Sequence, residues 1–129
     1  MRIAGLDISK NMIGLAFSDD EMRFVAHSFN FESKSLDKLE YYYTKYKPDL
    51  SIIGLPSWGQ NRNFVQSFAH NNRKLLNPFI FIDEVYSTQL TDLFNPNMQK
   101  DQCAAGIFVY FALENPKFLE NSIKTIKTS

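Results

Sequence analysis

Cysteine and tryptophan are each represented once, by Cys103 and Trp58, in a chain of 129 residues. One cysteine cannot close an internal disulfide or build a cysteine zinc cluster, and it fits a reducing compartment, so a cytoplasmic protein is expected. Excess charge is also missing. Lys and Arg together number 14, as do Asp and Glu. A neutral chain has no bulk attraction for a phosphate backbone, so any nucleic-acid binding must come from a local basic patch or a bound metal. No apolar run approaches the roughly 18 residues that span a bilayer, and no membrane partner is expected. The N-terminus meets an acid at Asp7 without a long apolar stretch, unlike a signal peptide. No GxxxxGK[ST] motif suggests a P-loop, and no Cys/His pairing suggests a nucleophilic site. Cys103 reads as a packed thiol, and His27 as a structural side chain.

What is present is a core. Hydrophobic residues make up 44% of the chain and Phe alone supplies 12. The length suits a single domain over 1–129. Residues 1–7 read as a buried strand ending in an acid. Met12–Ser18 follows after a tight turn, which implies a hairpin, and residues 23–31 read as a third strand. The period then changes. Behind Ser35 as N-cap, Leu36, Leu39, Tyr43 and Tyr46 step by three or four, as on an amphipathic helix. Of Tyr41, Tyr42 and Tyr43, only Tyr43 falls on the apolar stripe. Leu50–Leu55 is an unbroken apolar strand. A helix is predicted over 60–76, a fifth strand over 79–82, a short helix over 87–94 and a last one over 100–114. The tail, from about 117 and above all from Lys124, reads as frayed. Three antiparallel strands followed by two strands with crossover helices is the order of an α/β, ribonuclease H-like domain with a five-stranded mixed sheet flanked by helices.

Three acids stand out by position. Asp7 ends the first strand. Glu84, with Asp83 beside it, follows the fifth. Asp101 lies in the first turn of the last predicted helix, offset by three, four and seven from Ala104, Ala105 and Phe108, on the core-facing stripe. A carboxylate there is costly unless paired, hydrogen-bonded or metal-bound. Taken singly, each has a plainer reading as a turn, cap or helix-dipole residue. Taken together at one sheet edge, they would repel, and a divalent cation would compensate. Oxygen-only ligation suits Mg²⁺ or Mn²⁺, and two such ions can clamp a phosphodiester displacement. Alternation along a strand lets only one of Asp83 and Glu84 face Asp7.

Gly5-Leu6-Asp7 followed by Ile13-Gly14-Leu15-Ala16-Phe17-Ser18-Asp19 resembles the opening of the YqgF/RuvX family, which is Holliday-junction-resolvase-like and also described as a pre-16S rRNA nuclease family. Ile52-Ile53-Gly54-Leu55-Pro56 is similar to its IVvGLP strand, residues 82–88 to its vDERlST segment, and residues 100–107 to its vDxxAAxxIL helix. The resemblance implies metal-dependent phosphodiester hydrolysis, on structured RNA such as pre-16S rRNA ends or on branched DNA. It carries over Asp7, Glu84 and Asp101 as catalytic and metal-binding residues, with Glu84 chosen over Asp83. It also makes Ser87 and Thr88 helix-capping residues near a phosphate. Val85 stands where the family usually has Arg, which removes a phosphate contact or a stabilising charge. That departure motivates the alternative of a non-catalytic nucleic-acid- or protein-binding module on the same fold. Arg62, Arg73 and Lys74, on or near one helix face, and Trp58 in the loop after Pro56 are the further nucleic-acid-binding candidates. A solvated helix face is the plainer reading of the basic residues. For Trp58, stacking on a base competes with covering the sheet edge. The expected partners are nucleic acid and a second copy of the chain as a homodimer. An actin-like nucleotide site is disfavoured, since it needs two such domains.

Overall fold

The structure, a computed structural model, describes residues 1–83 and 100–128, and the side chains of 1–83 and 104–126. Five strands form one sheet: β1 (Ile3–Ile8), β2 (Met12–Ser18), β3 (Val25–Glu32), β4 (Leu50–Leu55) and β5 (Phe79–Asp83), in the order β3-β2-β1-β4-β5. β1 pairs antiparallel with β2, and β2 with β3. β1 pairs parallel with β4, and β4 with β5. This is the mixed sheet of a ribonuclease H-like fold, as the order of patterns predicts. The helices are α1 (Leu36–Tyr46), α2 (Gln60–Asn71), α3 (Arg73–Leu76), α4 (Lys100–Glu114) and α5 (Pro116–Thr128). The predicted helix over 87–94 lies outside the described residues.

Strand alternation sorts the core into two layers. Leu6, Ile8, Ile13, Leu15, Phe17 and Ile53 face α1 and α2 and pack on Leu39, Tyr43, Val65, Phe68 and Ala69. Ile3, Ala16, Ile52 and Ile82 face α4 and pack on Ala104, Ala105, Phe108, Val109 and Ala112. Within the first layer the Tyr43 hydroxyl and Ser51 Oγ lie 2.6 Å apart in a buried hydrogen bond. Burial pushes the Tyr43 phenol up, against the lowering effect of Ser51, so it stays neutral. Tyr42 instead stacks on Phe29 at 4.0 Å, Tyr41 is exposed, and His27 packs against Tyr46 at 4.6 Å between ring centres.

Two elements depart from the pattern. The helix expected over 60–76 breaks at Asn72. The Asn72 backbone N–H and side-chain Nδ2 both donate to the Phe68 carbonyl, and Asn72, at φ −111° and ψ 24°, leaves the helical backbone conformation, so α2 ends there. The tail is not frayed but helical to Thr128. Pro116 suits the first turn, where its missing N–H costs nothing. Phe118, Leu119, Ile123 and Ile126, spaced as one helical face, then join the second layer, with Phe118 meeting Phe111 at 5.2 Å.

The approach of α4 to the sheet is tight. A Cβ on Gly5 would overlap the Ala105 carbonyl oxygen and crowd the Val109 side chain. A Cβ on Gly54 would overlap the Phe108 ring. At the opposite end of the sheet Asp19 closes the β2–β3 turn. Its Oδ1 accepts from the backbone N–H groups of Arg23 at 2.6 Å and Phe24 at 3.1 Å, and Arg23 Nε reaches Oδ2 at 3.2 Å. Desolvation pushes the Asp19 carboxyl up, but these donors outweigh it and hold the group below the ordinary carboxylate value of 3.8.

Gly5→Ala is expected to lower the unfolding free energy by about 1–3 kcal/mol in a urea titration, the usual cost of an added group in a packed contact. A change within about 0.5 kcal/mol would mean that α4 can move away freely. The lowered carboxyl of Asp19 contributes stability that is complete above the unfolded value of 3.8 and is lost as pH falls through the lower folded value. The stability difference between wild type and Asp19→Asn should therefore be full at neutral pH and shrink in the acid limb of a Tm-versus-pH series. A difference that grows on acidification would contradict this.

Candidate active site at the carboxyl edge of the sheet

Asp7 is the last but one residue of β1, the central strand, and only 9% exposed. Its neighbours of like parity, Ile3 and Gly5, both face α4, so alternation turns Asp7 to that same face. The direction of α4 follows from what adjoins it. Its last turn leads into α5, and Ile123 and Ile126 of α5 line a cavity with Met1, Asp49, Leu50 and Pro78, at the amino ends of the parallel strands. The first turn of α4 therefore lies toward the carboxyl ends, where Asp7 is. The offsets agree. Ala105 sits against Gly5. Asp101 is four residues before Ala105, about 6 Å along the helix axis. Asp7 is two residues beyond Gly5, about 6.6 Å along the strand. The backbone at Asp101 thus comes level with Asp7.

The side chain of Asp101 and the whole of Glu84, Val85, Ser87 and Thr88 lie outside the described residues, as does the side chain of Cys103. Among the described residues no group of three or more His, Cys, Asp or Glu forms a metal site. What the described residues contribute to a divalent cation is an oxygen donor of the right kind, a buried aspartate at a strand end, and this fits Mg²⁺ or Mn²⁺. Asp83 belongs to the other face. It is exposed, it follows Ile82, which faces α4, and it accepts a long hydrogen bond from Ser57 Oγ at 3.5 Å. Asp83 is thus turned away from Asp7.

The remaining candidates divide by position. β4 ends beside Asp7, since Leu6 pairs with Ile53 and Gly54 is the next residue along. The loop of residues 56–59 continues past that edge. Trp58 in it is 83% exposed and covers no part of the sheet. Arg62, in the first turn of α2, donates from Nη1 to the Pro56 carbonyl at 2.9 Å and so braces the loop. Gly59 carries the loop into α2 at φ +94°, a conformation that disfavours any residue with a Cβ. Arg73 and Lys74 are exposed but sit at the far end of α2, where the chain turns back toward the amino end of β5. They line a groove with Leu36, Glu40 and Asn71 rather than the carboxyl edge. The structure thus brings Trp58 and Arg62 to the edge that holds Asp7, and not Arg73 or Lys74. The bracing of the 56–59 loop by Arg62 and Ser57 carries no sequence signal, because it depends on a backbone carbonyl and on a residue of another strand.

Among the described residues no helix is long and apolar enough to cross a membrane. The chain is similar in structure to a T. thermophilus RuvC in complex with a Holliday junction substrate, with a TM-score of 0.67 and 9% identity, over 92% of this chain and 96% of that one. It is also similar to the fowlpox virus resolvase in complex with substrate Holliday junction DNA, with a TM-score of 0.60 and 14% identity, over 90% of this chain and 99% of that one. At these identities the likeness is one of fold. No curated protein matches the chain. The model of the family described as RuvX, Holliday junction resolvase, matches residues 1–113. That match, which runs from β1 through α4 and so takes in both Asp7 and Asp101, places the chain in the RuvX family of Holliday junction resolvases, a family of nucleases.

Proposed function

We propose that the chain is a single ribonuclease H-like domain, cytoplasmic, that hydrolyses phosphodiester bonds in branched DNA or structured RNA with the help of Mg²⁺ or Mn²⁺. The observation that carries this reading is the buried Asp7 carboxylate at the end of the central strand, level with the α4 turn that contains Asp101. Asp7, Glu84 and Asp101 are the three carboxylates that would hold the cation. A bound divalent ion supplies Lewis-acid stabilisation of charge at the phosphoryl group. Asp7, held by a strand and sheltered by α4, keeps a fixed oxygen donor where a flexible loop residue would not. Arg62 and Thr88 would contact the phosphate backbone, and Trp58 a base. Arg73 and Lys74 would touch only nucleic acid that extends along α2. With the net charge at zero, the cation rather than the protein surface supplies most of the attraction for the reacting phosphate.

The test is cleavage of a labelled four-way DNA junction and of a precursor-like rRNA, each with Mn²⁺ or with EDTA. Cleavage should require Mn²⁺. It should fall by at least about 100-fold in Asp7→Asn, Glu84→Gln and Asp101→Asn, the scale on which a single stabilising group at the reacting atoms acts. Mn²⁺ binding measured by calorimetry should weaken in Asp7→Asn. Binding of nucleic acid without metal and without cleavage, by folded protein, would replace this reading with the non-catalytic module that Val85 suggests. Val85→Arg is expected to raise kcat/KM by about 10-fold, the effect of one added charge-assisted hydrogen bond to phosphate. An unchanged rate would show that this position does not reach the substrate.

A further inference from the structure

α1 buries Leu39 and Tyr43 and turns Tyr41 outward, where it is 58% exposed. At about 100° per residue, a position two away from each buried residue lies nearly opposite both, so Tyr41 marks the middle of the outer face. Asp37, Glu40, Thr44 and Lys45 line one shallow recess with it. A single exposed aromatic is ordinary on a protein surface. The charges around this one are not arranged as on a self-contained solvated helix, where an acid and a lysine three or four residues apart pair along the helix. In α1 no acid stands three or four residues from a lysine. Asp37 and Glu40 fall on one flank of Tyr41, and Lys38 and Lys45 on the other. Among the described residues none of the four forms an ion pair. Lys45 instead holds its ammonium over the rings of Tyr41, at 5.8 Å, and Tyr46, at 5.5 Å, which keeps it on the outer face.

The partner that matches such a face is a second copy of it. Two copies of α1 side by side in parallel, related by a two-fold axis along the helices, set the acid flank of each against the lysine flank of the other. With Tyr41 at an a position of a parallel coiled coil, Glu40 is the g position before it and Lys45 the e position after it, the two that pair across such helices. Symmetry forms that pair twice, and Tyr41 meets its own mate on the axis. An antiparallel pair would instead place acid on acid and lysine on lysine. The face is neutral, with Asp37 and Glu40 balanced by Lys38 and Lys45, so the approach of two copies meets no net repulsion. A helix of 11 residues is about 16 Å long, which keeps the contact at the small end of the range for specific interfaces and the association weak and reversible.

We infer that the outer face of α1 is a self-association surface through which two copies of this chain pair in parallel, Glu40 of each facing Lys45 of the other beside Tyr41. α1 and α4 cover opposite faces of the sheet, so the pairing leaves the face that holds Asp7 open, and the inference does not depend on what Asp7 does. Sedimentation velocity of the full chain from about 10 µM to 1 mM should show a monomer–dimer equilibrium that weakens at least about 3-fold between about 0.05 and 0.5 M salt. Glu40→Lys and Lys45→Glu, each of which sets like charges across the pair, should each weaken the dimer by at least about 10-fold. An equimolar mixture of these two variants should form a heterodimer within about 3-fold of the wild-type affinity, because every lysine then faces a glutamate again. Tyr41→Ala should weaken the dimer by about 10-fold. All three residues are exposed, and circular dichroism should be unchanged in every variant. A chain that stays monomeric over the whole range overturns the inference. So does a dimer that the single charge variants leave intact, which would place the contact on another surface, and so does a mixture of the two variants that fails to recombine.

Discussion

The close seating of α4 on the central strand is the constraint on which the candidate site depends. Asp7 and the backbone at Asp101, more than ninety residues apart in sequence, come level only because a helix lies against the strand with no side chain between them. Gly5 makes that possible, because its missing Cβ leaves room for the Ala105 carbonyl oxygen, and Gly54 does the same for the Phe108 ring. Once Ala105 is fixed over Gly5, the first turn of α4 has nowhere to fall but beside Asp7. The small residues Ala104, Ala105 and Ala112 on the same helix face keep the approach close along its length. The packing contact and the chemical site are two ends of one arrangement, which is why the Gly-Leu-Asp triplet reads as a unit.

Much of this was legible in the sequence because it rests on period and order. Met12–Ser18, Leu50–Leu55 and Lys100–Glu114 have the bounds that apolar patterning and breakers imply. α1 presents Leu39 and Tyr43 to the core, as its three- and four-residue steps require, with Tyr46 half-buried, while Leu36 at the start of the same predicted stripe is exposed. The inward placement of Ala104, Ala105 and Phe108 was also readable from their offsets. The misses have physical causes. Asn72 ends a helix by leaving helical dihedrals with its side chain turned back onto the Phe68 carbonyl, a local feature that hydrophobic periodicity does not register. The tail looked like a polar extension because Lys, Thr and Ser dominate its composition. Yet Leu119, Ile123 and Ile126 recur at helical spacing and find the surface left open beyond β1 and β4. Composition is a weak guide when these and Phe118, four apolar residues on one face, suffice to seat a helix.

At the site, alternation was the most useful single rule. It says that only one of Asp83 and Glu84 can face Asp7, and Asp83 lies on the α1/α2 side of the sheet, tied to Ser57. The basic residues were less legible. Arg62, Arg73 and Lys74 look alike as a run of cations along one helix, but Arg62 lies in the first turn of α2 while Arg73 and Lys74 lie beyond its last, and the length of the helix separates them. Arg62 stays at the carboxyl edge and spends one donor on the Pro56 carbonyl, while Arg73 donates to the His70 carbonyl away from that edge. A charge in sequence therefore says little about a charge at a site until the direction of its helix is known.

The neutrality of the chain then fits the rest. A protein that gripped nucleic acid by bulk charge would bind any backbone and would need a strongly basic face. This one has equal numbers of acids and bases and, on the proposed reading, a buried carboxylate beside the reacting phosphate. On that reading the site would repel its substrate unless a cation intervened, so the acid that hinders binding without metal would favour it with metal, and recognition would lean on groups that need no charge.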